Sequence, residues 1–126
     1  KEAKEVCVWF SLENEIIGTP STIQGDDSKE TIELLEDSEL IKLNIEKIKA
    51  LTKTDLSISN ILNNLWEEHA IFLEERLYQL QFMNSHERYK SLIKDTPEIL
   101  QRISLTDIAS FLGVSRETLS RIRAKK

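Results

Sequence analysis

The chain has 126 residues, 40% of them apolar, and a formal net charge of −5, which bounds it to one domain or two small ones with a modest core. No run of about 18 apolar residues occurs and the first residues are charged, so neither a membrane span nor a secretory leader is expected, and a cytoplasmic location is. The single cysteine, Cys7, excludes an internal disulfide, and no Cys or His cluster has metal-ligand spacing, so no metal or cofactor is expected.

Residues 1–12 open charged and become β-rich, with Val6, Val8 and Phe10 alternating against Cys7, Trp9 and Ser11. This pattern predicts a strand. The opening Lys-Glu-Ala-Lys-Glu resembles the end of a hairpin turn whose first strand is absent, because a lone strand with this much apolar surface needs neighbours. Gly18, Pro20, Gly25 and the Asp26–Asp27 pair then punctuate a loop that runs to Lys29. Glu30–Leu35 and Glu39–Asn44 are predicted strands, joined by a turn at Glu36-Asp37-Ser38.

A short helix is expected over residues 45–50, followed by the longest periodic run of the chain. Ile58, Leu62, Leu65, His69, Phe72 and Arg76 recur at alternating spacings of four and three, flanked by Ile61, Leu73, Leu77 and Leu80. A helix from about Leu56 to Asn84 would span roughly 43 Å, with more apolar surface than so small a chain can cover. The excess predicts parallel pairing with a second copy through those six residues, His69 and Arg76 acting as polar contacts that set the register.

Met83 to His86 breaks this pattern and reads as a hinge, after which Ser85 is expected to cap a helix reaching Lys94 and Thr96-Pro97 to open a short one through Ile103. Then comes S-L-T-D-I-A-S-F-L-G-V-S-R-E-T-L-S-R-I-R, Ser104 to Arg123. Leu105, Ile108 and Leu112 share one helical face, Gly113 suits a left-handed cap, and Ser104 with Asp107 resembles a capping box. Ser115 can cap a second helix in which Leu119 and Ile122 face inward while Arg116, Glu117, Ser120, Arg121 and Arg123 face out. That is the pattern of a helix-turn-helix.

Charge supports a nucleic-acid partner for this segment. Arg102, Arg116, Arg121, Arg123, Lys125 and Lys126 against Asp107 and Glu117 leave residues 101–126 at +4, so the first 100 residues carry −9 of the total. The basic charge is gathered where an outward helix face could meet phosphates and base edges.

The run S-R-E-T-L-S-R resembles the recognition helix of the Crp/Fnr family of bacterial transcriptional regulators. E-N-E-I-I-G followed by T-I-E-L-L-E-D-S-E-L-I-K-L likewise looks like the second half of that family's cyclic-nucleotide-binding-like β-roll. The resemblance implies an α+β fold: a partial antiparallel β-roll over residues 1–53, a long dimerisation helix over 54–84 and a helix-turn-helix bundle over 85–126. It also implies a sequence-specific regulator that acts as a homodimer on palindromic double-stranded DNA, with a half-site of the family's T-G-A type. Arg116, Glu117 and Arg121 would read bases; Ser115, Thr118, Ser120, Arg123 and Lys125 would hold phosphates. RNA polymerase is a further candidate partner.

The family's cyclic-nucleotide signature is not matched. Glu15 follows Asn14 rather than Gly, and Asp26 to Thr31 contains no Arg and extra acids that repel a phosphate, with Lys29 the one cation. A small-molecule effector other than cyclic AMP is therefore the expectation. Two other classes are alternatives: a sensor or interaction module of the same fold that does not bind DNA by itself, and a hydrolase built on Ser85, His86 and Glu87. Adjacent residues on one helical turn point apart and cannot form a nucleophile–base–orienter chain, so no enzyme is expected.

Overall fold

A computed structural model describes residues 5–18, 24–25 and 27–124. The expected opening turn at residues 1–4, most of the loop over 19–23, Asp26, and the basic pair Lys125 and Lys126 lie outside the described residues. Among the described residues six helices follow one another: α1 (Ile45–Leu51), α2 (Leu56–Phe82), α3 (Ser85–Asp95), α4 (Ile99–Arg102), α5 (Leu105–Leu112) and α6 (Arg116–Ala124).

The α+β class is overturned: no strand or sheet is present among the described residues, and the partial β-roll is absent. Isolated strands need a ladder partner and a covered face to be stable, and none of the three expected strands finds one. Over 30–44 the chain carries no regular element, and Ile32, Leu40, Ile41 and Leu43 remain exposed, Ile41 at 87%. Local side-chain hydrogen bonds replace a ladder there: the Ser28 hydroxyl donates to the Glu30 carbonyl (3.0 Å) and that of Ser38 to the Glu36 carbonyl (2.8 Å). The first expected strand is diverted differently. The Cys7 N–H donates to Ser110 Oγ (2.9 Å), and the Phe10 ring meets that of Phe111 at 5.2 Å between centroids. Cys7 and Phe10 thus join a helical core instead of a sheet, while Val6 and Val8 stay exposed.

Two compact units result, one comprising the residues up to Ile17 with those from Gln79 onward, the other Gly18–Tyr78. In the second, Asn44 Oδ1 accepts from Lys47 N–H (3.0 Å) to cap α1, and Asp55 Oδ1 accepts from Ser57 (2.8 Å) and Ile58 (3.3 Å) to start α2. α2 runs 27 residues, roughly 40 Å.

The first unit holds the buried core: Ile99, Ile103, Ile108, Ala109, Phe111, Leu112 and Leu119, with Ile122 also buried and Cys7, Phe10, Tyr89, Leu92 and Ile93 packed against the cluster. α5 and α6 pack on each other, and α3 packs on both. The cap of α3 is Asn84, not Ser85 as expected. Its Oδ1 accepts from His86 and Glu87 N–H while Glu87 Oε2 accepts from Asn84 N–H (2.8 Å), a reciprocal box that a serine one position later cannot close. α4 begins at Ile99, later than the Thr96-Pro97 start expected, and its N-cap Glu98 makes no side-chain bond.

Candidate nucleic-acid interface

The interface is built from α5, the turn after it, and α6. Ser104 Oγ accepts from Asp107 N–H (3.1 Å) and starts α5. The Asp107 carboxylate does not reach back to the cap's N–H as a glutamate would; one methylene shorter, it accepts a hydrogen bond from the Ser104 hydroxyl at 2.6 Å. α5 buries Ile108, Ala109, Phe111 and Leu112. It stops at Gly113, whose φ of +69° is left-handed. The Gly113 N–H donates to the Ser110 carbonyl and the Val114 N–H to the Ala109 carbonyl, both at 3.0 Å, which turns the chain and closes the helix end.

Ser115 Oγ then accepts from Thr118 N–H (3.1 Å) and opens α6. The nine residues of α6 cover about 13 Å, a length that fits a major groove about 12 Å wide. Leu119 and Ile122 are buried beneath it. On the other side Ser115, Arg116, Glu117, Ser120, Arg121 and Arg123 are exposed and Thr118 is half-buried. All three base-reading candidates and four of the five phosphate-holding ones are therefore brought to one short stretch of surface, while Lys125 lies outside the described residues.

Hydrogen bonds from its own backbone N–H and from Ser115 hold the Glu117 carboxyl below its ordinary value, with Arg116 and Arg121 acting in the same direction. It is an ionised acceptor between two cations. Elsewhere, Arg102 is not part of a free basic face: its two terminal nitrogens grip the Glu13 carboxylate at 3.0 and 2.7 Å. That fork holds Glu13 below the usual carboxylate range as well.

No protein-family model, curated protein or solved structure matches this chain. What points to a function is the geometry of α6 and the resemblance of S-R-E-T-L-S-R to a recognition helix.

The six expected dimer residues, Ile58, Leu62, Leu65, His69, Phe72 and Arg76, line up along α2, and every one is already half-buried. A neighbouring line is more open over its second half: Leu73 is 49%, Leu77 56% and Leu80 50% exposed, and Ala70 is exposed, while Trp66, next toward the helix start, is half-buried. Sequence spacing alone does not separate the two lines, since both step by four and three. Among the described residues no group of three or more His, Cys, Asp or Glu side chains could hold a metal, and no helix is long and apolar enough to cross a membrane. Around Ser85, the Glu87 carboxylate is committed to the α3 cap.

Arg88 escaped the sequence reading. Its guanidinium donates to the Leu112 carbonyl from Nε (3.1 Å) and Nη2 (3.0 Å) and to the Met83 carbonyl from Nη1 (2.7 Å). No local pattern could have flagged it, because its principal partner is a main-chain atom 24 positions away.

Proposed function

We propose that this chain is a sequence-specific, cytoplasmic DNA-binding transcriptional regulator of the Crp/Fnr type that works as a parallel homodimer. The observation that carries the reading is the two-sidedness of α6: Leu119 and Ile122 are buried while Arg116, Glu117, Ser120 and Arg121 stand exposed on the same nine-residue helix. Arginine pairs bidentately with guanine O6 and N7, and glutamate accepts from cytosine N4. Such a face, backed by a helix that holds it from behind, is equipped for a major groove. The β-roll is no part of this proposal. Control by an effector other than cyclic AMP and contact with RNA polymerase remain part of it.

Dimerisation is proposed through the more open line of α2. Ser59, Asn63, Trp66, Ala70, Leu73, Leu77 and Leu80 repeat at spacings of four and three, the a and d positions of a heptad with Asn63, Ala70 and Leu77 at a. Asn63 at an a position favours two strands in register. Glu67 and Glu74 then flank one edge, His69 and Arg76 the other. A parallel pair sets His69 against Glu74 of the second copy, whereas an antiparallel pair sets the acidic edge against itself. Because Gln79–Phe82 belong to the same compact unit as α3–α6, parallel pairing gives both copies of the reading unit to one end of the coil, as a palindromic site requires.

The test is selection of duplexes from a random pool, repeated with Arg121→Ala. Enrichment of a palindrome, with about 1 to 3 kcal/mol of discrimination lost at one symmetric position in the variant, is the expected result. Binding that is salt-sensitive but indifferent to sequence and to the substitution would sink the reading.

A further inference from the structure

Arg88 lies on α3, yet three of its donors are spent on the ends of two other helices. Leu112 closes α5, and the N–H groups of Gly113 and Val114 that follow go to Ser110 and Ala109. The Leu112 carbonyl is thus a helix-end acceptor, and it receives both Nε and Nη2 of Arg88. Met83 sits one residue past the end of α2, and its carbonyl receives Nη1. A cation at the carbonyl end of a helix is favoured by the helix dipole. Here one guanidinium serves two such ends at once, and its rigid fork fixes their relative placement as a lysine ammonium, a single point charge on a flexible stem, could not.

Arg88 is itself held at its root. It follows Glu87, a member of the Asn84 capping box, and its own N–H donates to the Asn84 carbonyl (3.0 Å). The corner between α2 and α3, the guanidinium, and the turn ahead of α6 therefore form a short, continuous chain of polar contacts within one compact unit.

We infer that Arg88 is a positioning residue that locks the recognition helix to the end of the long helix and so sets the separation of the two reading heads in the dimer. The functional half of this inference rests on the DNA-binding reading; the mechanical half does not. A shift at the Met83–Asn84 corner is transmitted to Leu112, and Gly113 and Val114 are all that separate Leu112 from the cap of α6.

Two measurements on the full chain with Arg88→Lys and Arg88→Gln test it. In the first, without DNA, spin labels at Gln81→Cys and Ser120→Cys in a Cys7→Ser background, diluted into unlabelled chain, report the distance from the end of α2 to α6. A single narrow distribution in the parent that broadens in both Arg88 variants is expected. Equal widths, or a parent already broad, would overturn the inference. In the second, affinity is measured for duplexes whose half-sites are moved apart one base pair at a time. The parent should favour one spacing by roughly tenfold or more, the factor one charge-assisted hydrogen bond supplies. Arg88→Lys should flatten that preference while binding a single half-site as before; an unchanged spacing preference overturns the inference. Circular dichroism checks folding, and if Arg88→Gln loses helix, Arg88→Lys carries the test. A parent that binds no DNA defeats the DNA-binding reading, and the spin-label distances then decide the role of Arg88 on their own.

Discussion

The hydroxyls of Ser115 and Thr118 stand 3.1 Å apart at the N-terminus of α6, and Ser115 Oγ also accepts the Thr118 N–H. A side chain assigned to phosphate is thus also the helix cap, and the two roles can be separated by charge. Ser115→Ala removes both and should cost about 0.5 to 2 kcal/mol of stability together with DNA affinity. Ser115→Asp keeps a capping acceptor and places a negative charge where the dipole favours it, so thermal stability should hold while affinity falls at every sequence, because the carboxylate faces a phosphate. Thermal melts and binding titrations on the same two variants check this. A Ser115→Asp protein that binds as well as the parent would remove Ser115 from the phosphate contacts.

Glu117 should discriminate its base over a wide pH range. Its backbone and Ser115 hydrogen bonds favour the ionised form and lower its pKa below the ordinary 4.5. A group with a depressed pKa keeps its charged-state contribution as pH falls and loses it only on passing through the lowered value. Preference for cytosine at the matching position should therefore stay level from about pH 7 to about pH 5. Glu117→Gln should exchange that preference for adenine, which a side-chain amide pairs through N6 and N7. Competition titrations against duplexes differing at this base provide the measurement; a preference that decays between pH 7 and pH 5 contradicts the assignment.

The parts of the molecule legible in its sequence are those whose structure is decided locally. Ser104, Gly113 and Ser115 mark helix ends through bonds to residues three or four positions away, and Leu119 and Ile122 reveal an inward face by their spacing. Strands are different, since their stability depends on a neighbour that spacing does not specify. Val6 to Phe10 alternate like a strand, yet Cys7 and Phe10 find Ser110 and Phe111, more than a hundred positions away, and pack on helices. On α2 the difficulty is geometric: two adjacent lines share the same step, and what separates them is that one is half-covered by the chain's own fold. Arg88 could not be found at all, because its ligands are carbonyl groups, which every residue possesses.

The core beneath α6 should be the least forgiving part of the chain. Leu119 is 0% exposed and packs in one cluster with Ile99, Ile103, Ile108, Phe111 and Leu112. Leu119→Ala should cost about 2 to 5 kcal/mol, enough to unfold a unit of this size at moderate temperature. Gly113→Ala should cost less, about 1 to 2 kcal/mol, because a Cβ there meets nothing within 4 Å and the penalty is the left-handed backbone alone. Gly113→Asn should be milder still. Urea titrations that ranked Gly113→Ala above Leu119→Ala would show that the turn, not the core, limits stability.

Leu77 is the position at which dimerisation should be most sensitive. It lies on the open line of α2 at 56% exposure, so a charged substitution there costs the folded single chain little. In the proposed coil it faces its own copy, and each event of association buries the side chain twice. Full burial of a leucine is worth about 1.5 to 3 kcal/mol and association covers roughly half of each side chain, so losing both should raise the dissociation constant roughly twentyfold to a few hundredfold. Leu77→Lys should consequently sediment as a single chain with undiminished helix content, bind an isolated half-site, and lose the added affinity of a palindrome. Leu65→Lys, on the half-covered line, should instead reduce helix content, because there the side chain is packed by the chain itself. If Leu77→Lys still sediments as a dimer and Leu65→Lys becomes a folded single chain, the interface runs along the Ile58–Arg76 line, and the covered surface of α2 in the free chain must open when two copies meet.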